Sequence, residues 1–182
     1  MQIWKIKGRI LGTNCNKNTI KPNCSKIGKL KDWPQMLKSI KEVWNILGLL
    51  NYHRAFILGF SYIVKPLTTL LKKRNPFLWT TKCRKALDKI IHILTNEPVL
   101  IQPDQTKPFE LKVNASNYPT GANLFQRDKR GKPRPNGFHS KTFSKEEINY
   151  DIYNKKLTAI DQGLETWWHL LLERPTIIHT NH

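Results

Sequence analysis

The sequence predicts an α+β or α/β chain in which a mixed sheet is covered by one long helix, with a small helical unit ahead of it. Three observations carry that reading. Phe109-Glu110-Leu111-Lys112-Val113 alternates apolar and charged residues, as a half-buried strand does. Two further strand-like runs, 120–127 and 134–143, are separated by the turn residues Asp128-Lys129-Arg130-Gly131-Lys132, so the three runs form an antiparallel meander. Downstream, Tyr153, Leu157, Ile160, Leu164, Trp167 and Leu171 recur every three or four residues, the period of a helix whose apolar stripe covers the sheet.

The remaining elements follow in chain order. Residues 1–31 carry little periodic apolar content and read as loop or incomplete sheet, too poor to bury much alone. Ser39 and Glu42 form a Ser-x-x-Glu capping box ahead of Val43, Ile46, Leu47 and Leu50, which share one helical face. Pro66 suits the first turn of a following helix. Tyr52, Phe56 and Phe60 recur at helical spacing and read as packing residues in preference to base-stacking ones. Lys72-Lys73-Arg74-Asn75-Pro76 is a charged, proline-ended linker that sets 76–182 apart from the preceding segments 1–31 and 32–75. A helix over 81–95 turns Cys83, Leu87, Ile90, Ile91 and Leu94 inward. A second capping box, Ser144 with Glu147, opens the longest helix, Pro175 stops it, and Thr176-Ile177-Ile178-His179-Thr180 is a fourth strand.

Composition narrows the function. A chain of 182 residues that is 39% hydrophobic supports one main domain with a smaller appendage. Lys and Arg number 31 against 13 Asp and Glu, a formal charge of +18, which favours polyanionic partners such as nucleic acid; a solvated basic surface is the plainer alternative. The clusters Lys72, Lys73, Arg74 and Arg127, Lys129, Arg130, Lys132 are the candidate backbone contacts. Cys15, Cys24 and Cys83 are odd in number and form no Cys-x-x-Cys pair, which argues against a zinc knuckle or a secreted disulfide framework and for an intracellular setting. No apolar run reaches the ~18 residues that a membrane span needs.

Several strings carry a resemblance. These are Asn114-Ala115-Ser116, Gly121-Ala122-Asn123-Leu124-Phe125-Gln126, Asn149-Tyr150-Asp151-Ile152 running on to Leu157, and Thr180-Asn181-His182, with Leu47-Gly48 before Asn51-Tyr52 and Lys65-Pro66-Leu67-Thr68 upstream. Together they resemble the stretch that joins reverse transcriptase to ribonuclease H in gypsy-type LTR retrotransposon Pol polyproteins. The resemblance implies a ribonuclease H-like fold that is C-terminally incomplete, a thumb-like segment over 32–75, and a remnant of the palm and primer grip over 1–31. For intact relatives it implies RNA-directed DNA synthesis and magnesium-dependent cleavage of RNA in RNA–DNA hybrids. No Asp-Asp pair occurs in this chain, so the polymerase's paired aspartates are absent from it.

The strings match around the family's metal-binding acids, and the acids themselves differ. Where the resemblance places carboxylates on the first strand, the long helix and the fourth strand, this chain has Asn114, Lys156 and Asn181. Two-metal hydrolysis needs converging carboxylates, because hard cations demand oxygen ligands and charge compensation. Three carboxylates would bring three negative charges where these side chains bring one positive charge. At ~5 Å and an effective dielectric near 20, each unit of difference costs a divalent ion roughly 6 kcal/mol before screening. Lys156, four residues from both Ile152 and Ile160, is expected on the sheet-facing side of its helix. Asp to Asn and Glu to Lys are each one G-to-A transition, and Asn23 also stands where the family commonly has aspartate. Reverting all four positions would lower the charge from +18 by five, so part of the basic character is explained by mutational decay. The expectation is a chain without cleavage activity or a magnesium cofactor. Its expected partners are RNA–DNA hybrid or duplex, bound weakly and salt-sensitively, and the remainder of a Pol polyprotein. The alternatives are a non-catalytic nucleic-acid-binding module and a structural remnant retained by a host.

Overall fold

The computed structural model describes residues 13–15, 18–22, 27–28, 30, 33–34, 36–72, 76–96, 99–116 and 119–180. Lys73, Arg74, Asn23, Asn181 and His182 lie outside the described residues.

Strands β1 (Thr13–Cys15) and β2 (Thr19–Pro22) pair antiparallel, and β2 continues onto β3 (Leu100–Ile101), where Ile20 lies opposite Leu100. The N-terminal strands that could not bury a core alone thus gain one from residues about 80 positions away. Between them come α1 (Ile40–Tyr52), a single 3-10 turn at Arg54–Phe56, α2 (Phe60–Ile63), α3 (Lys65–Leu70) and α4 (Thr81–Asn96). Helix α1 starts as its capping box requires: the Glu42 amide donates to Ser39 Oγ at 3.2 Å, while the Glu42 carboxylate accepts from the Lys38 amide at 2.8 Å. Phe56 and Phe60 are buried, but Tyr52 is exposed, because the helix ends there and the chain turns away before the aromatic spacing can continue.

The second sheet has the order β6-β5-β4-β7, built from β4 (Phe109–Ala115), β5 (Pro119–Arg127), β6 (Pro133–Thr142) and β7 (Thr176–Thr180). The first three form the expected antiparallel meander, and β7 adds parallel to β4, which makes the sheet mixed. Helix α5 (Ile152–Leu171) covers one face. Its start and its buried side both differ from the sequence-based expectation. The Ser144–Glu147 box forms, with Ser144 Oγ accepting from the Glu147 amide at 3.2 Å and Glu147 accepting from the Ser144 amide at 2.6 Å, yet it opens only a 3-10 turn at Glu147–Asn149. Asp151 caps α5 proper by accepting from the Asn154 amide at 2.7 Å.

The buried side of α5 is Lys155, Ala159, Gln162, Gly163, Trp167, Leu170 and Leu171, whereas Tyr153 and Leu157 are 75% and 61% exposed. The helix is rotated relative to its apolar stripe because close approach to the sheet selects small residues. A Cβ added at Gly163 would stand 3.2 Å from Leu111 and 3.4 Å from Ala122, tighter than ordinary packing allows. Gln162 is tolerated beside it because its side-chain oxygen accepts from the Thr120 hydroxyl at 2.6 Å. Farther along, α5 kinks at Trp167, whose indole lies over Gly137 of β6.

Buried apolar residues form two clusters among the described residues. One runs from Ile20 through α1–α4 to Leu100; the other joins Phe109, Leu111, Val113, Ala122 and Leu124 to Ala159, Trp167, Leu170 and Leu171. Helix α4 belongs to the first cluster, so that core runs on past the charged linker at 72–76. Ser140 of β6 ties the two together: Oγ accepts from the Ser61 amide at 2.9 Å, and its carbonyl accepts from Ser61 Oγ at 2.9 Å and from Arg54 at 2.5 Å.

Candidate functional site

Strand β4 positions the first candidate residue. Leu111 lies against Gly163, so alternation turns Phe109, Leu111 and Val113 toward α5 and Glu110, Lys112 and Asn114 toward the opposite face. Asn114 is exposed and paired in register with Gly121, one residue before β4 ends at Ala115. On α5 it is Lys155 that is buried, its ammonium 5.9 Å from the centre of the Phe143 ring, whereas Lys156 is half-buried. Ile152, used to orient Lys156, is 45% exposed, the same rotation of α5 that displaces the rest of its stripe. No hydrogen bond or ion pair joins Asn114 to Lys156 among the described residues, and Asn181 lies outside them.

On the Asn114 face the structure assembles a group that sequence reasoning missed. Glu110, only 6% exposed, accepts from Arg127 Nε at 2.6 Å and from Arg127 Nη2 at 3.1 Å. Its second oxygen also lies 2.7 Å from His179 Nε2, and the His179 ring stacks on Phe125 at 6.0 Å. Hydrogen bonding from Arg127 is the main reason the Glu110 carboxyl is held below the ordinary glutamate range; burial opposes it and His179 assists. The three residues come from β4, β5 and β7, with 17 and 69 positions separating Glu110 from its partners. The one signal in the sequence was an acidic residue on the polar face of β4, where the burial of Glu110 could not be read from the alternation.

Of the candidate backbone contacts, Lys129, Arg130 and Lys132 project from the β5–β6 turn and are exposed. Asp128 shapes that turn by accepting from the amides of Arg130 and Lys132 at 2.9 and 3.0 Å, and Gly131 adopts φ 75°, a left-handed conformation that glycine takes without strain. Arg127, by contrast, is engaged by Glu110, so its charge is balanced within the fold. Lys72 is exposed just beyond α3, and Lys73 and Arg74 lie outside the described residues. Gln126, the last residue of the Gly-Ala-x-Leu-x-Gln string, is fully buried and holds the 104–107 loop: Oε1 accepts from the Asp104 amide at 2.9 Å and Nε2 donates to the Asp104 carbonyl at 2.7 Å. Its role in this chain is structural.

The donor set does not fit a divalent metal. Among the described residues no group of three or more His, Cys, Asp or Glu converges, and the sole buried acid, Glu110, already neutralises Arg127. An amide at Asn114 and an ammonium at Lys156 supply no negative charge to hold magnesium. No helix among the described residues is long and apolar enough to cross a membrane.

A mixed sheet with a covering helix, a parallel fourth strand and a helical unit ahead of it defines a ribonuclease H-like domain of the reverse-transcriptase type. The chain belongs to that family: residues 79–178 match the RNase H-like domain found in reverse transcriptase. Over its whole length it is 35% identical to the retrovirus-related Pol polyprotein from transposon 297 of Drosophila melanogaster, and over 96% of its length 34% identical to the transposon Tf2-3 polyprotein of Schizosaccharomyces pombe. It spans 17% and 13% of those relatives, as a fragment of a retrotransposon Pol polyprotein does. A foamy viral protease-reverse transcriptase solved with an RNA/DNA hybrid superposes with a TM-score of 0.76 at 26% identity, covering 93% of this chain and 23% of that one. A second foamy viral structure, solved with double-stranded DNA, has the same fold at a TM-score of 0.75 and 24% identity, covering 92% of this chain and 30% of that one.

Proposed function

We propose that this chain is a non-cleaving, backbone-binding part of a retrotransposon reverse transcriptase, which holds RNA–DNA hybrid or duplex weakly and without sequence preference. The observation that supports it is that Asn114 and Lys156, where the resemblance implies acids, bring no negative charge, while Glu110, the buried acid of the same sheet, is held by Arg127 and His179. The exposed turn cations Lys129, Arg130 and Lys132 and a formal charge of +18 supply the attraction to phosphates. The foamy viral relative solved on an RNA/DNA hybrid supports a ligand of that class.

The chemistry follows from charge. Lys156 repels an incoming divalent ion, and an amide at Asn114 offers a weak neutral oxygen where a carboxylate would compensate charge. Backbone contacts release condensed counterions, so about four phosphate contacts make affinity fall roughly 100-fold between ~50 and ~200 mM salt. Unchanged affinity over that range overturns the electrostatic mechanism. Asn114→Asp, Lys156→Glu and Asn181→Asp together are expected to raise magnesium affinity measurably by calorimetric titration. Magnesium-dependent cleavage of a hybrid by the unmodified protein refutes the assignment.

A further inference from the structure

A second surface lies away from the sheet, between α3 and α4. There the chain forms a groove of about 800 Å³. Its floor is apolar and buried, formed by Ile63, Leu70, Cys83 and Ala86. Tyr62 and Leu78, which also line it, are 65% and 64% exposed, leaving apolar surface unburied there. The rim is basic. Lys82, Lys85 and Lys89 follow one another along α4 at spacings of three and four, which places them on one side of the helix, and Lys65 stands on α3. Asp88, the acid nearest this row in sequence, is bound to Arg84 at 3.0 Å and leaves the three α4 lysines without an acidic partner among the described residues.

We propose that this groove docks an acidic amphipathic helix of a partner protein. A phosphodiester backbone would satisfy the lysines and leave the apolar floor, Tyr62 and Leu78 uncovered, whereas an amphipathic helix covers both. Its anchors enter the groove at i, i+3 or i+4 and i+7, and its acidic flank meets the lysine row, which spans roughly 10 Å or two helical turns. A second copy of this chain is a poor occupant, since each copy carries +18 and the rim would face another cationic surface. The groove shares no residue with the β5–β6 turn or with Asn114 and Lys156.

The test uses the full chain and three labelled probes in fluorescence anisotropy. These are a ~14-residue helical peptide with leucine anchors and a glutamate flank, the same peptide with lysine for glutamate, and a single-stranded oligonucleotide. The acidic peptide is expected to bind, and Lys85→Glu with Lys89→Glu to weaken it about 10-fold or more. Tyr62→Ala with Leu78→Ala is expected to weaken it about 5-fold with little change in salt dependence; both side chains are mostly exposed, so the fold tolerates their removal. Lys141→Glu with Lys145→Glu, equal in charge change and outside the groove, should leave peptide affinity within about 2-fold. Equal binding of the acidic and lysine peptides overturns the proposal. So does an acidic peptide that responds equally to both charge reversals, since that reports general attraction to a basic protein. An oligonucleotide that displaces the peptide and loses affinity in both groove variants reassigns the surface to nucleic acid.

Discussion

The two cores of this molecule are built by different means. The first, from Ile20 to Leu100, is mainly aliphatic, with Phe56 and Phe60 among its buried members: Leu30, Leu37, Val43, Ile46, Leu50 and Leu67 have no solvent exposure, and helices pack around them from several sides. The second is a sheet with one helix laid on it, and it reaches close packing through Gly163, Ala159 and Ala122, with Gln162 and Lys155 buried among them. Around it Leu157, Trp168, Leu172 and Ile177 are all more than half exposed. A core enclosed by apolar residues tolerates changes that preserve volume, whereas one set by the closest approach of backbone to side chain depends on a few small residues. Hydrogen exchange should register the contrast as slower exchange in α1 and α4 than in α5 and β7.

The largest effect should come from emptying the first core. Leu67→Ala, at a site with no solvent access, is expected to cost about 3–4 kcal/mol by urea denaturation. A cost under ~1 kcal/mol would show that the helices collapse freely and that the first core is the looser of the two. Next in size is Gly163→Leu, where added atoms meet Leu111 and Ala122; about 2–3 kcal/mol is expected, with exchange accelerating in α5 and β4 before α4. If α4 loosens equally, the two cores act as one cooperative unit.

Acid should act on the second core first. The His139 imidazole is held below the usual histidine range by burial, with Arg54 and Lys141 adding to the effect, and it lies 3.2 Å from Thr166 Oγ1. A depressed histidine takes up its proton on unfolding, so stability is lost as pH falls below its ordinary value of 6.5. Glu110, also depressed, contributes stability above its ordinary value of 4.5, which disappears as pH falls through its folded value. Two successive losses are therefore expected on acidification. Glu110→Gln should abolish the lower one at a cost of about 1–2 kcal/mol near neutral pH. An acid profile identical to that of the parent would mean that another carboxylate governs it.

The smallest effect is expected where the two cores meet. Ser140→Ala removes the acceptor of the half-buried Ser61 amide, which should cost about 1 kcal/mol and split thermal unfolding into two transitions, one for each core. A single transition that persists would place the coupling elsewhere, with Asn136 donating to the Ile101 carbonyl at 3.3 Å as the next bond to remove.

Alternation located β4, and the turn residues around Gly131 located the hairpin beyond it, because both signals reside in neighbouring residues. Helix α4 was legible for the same reason: Cys83, Leu87, Ile90 and Leu94 are all buried. The face of α5 was not. Its apolar stripe points along one side, while Gly163 and Ala159 let a different side approach the sheet, and period alone cannot weigh a glycine against a leucine. Arg127 shows the same limit within the candidate site, since a cation in a basic cluster reads as a phosphate contact until Glu110 is found 2.6 Å away.

The sequence by itself determined the family and the order of the elements, and it carries Asn114, Lys156 and Asn181 where the resemblance implies acids, since identity and spacing are written in the chain. Tertiary structure alone decided which charges remain available and which core each element joins. It seats Ile20 against Leu100, gives α4 to the first core, and pairs Glu110 with both Arg127 and His179 on one face of the sheet. The physical reason is distance: burial and pairing depend on groups that meet only after the chain has folded, and a local period carries no record of them.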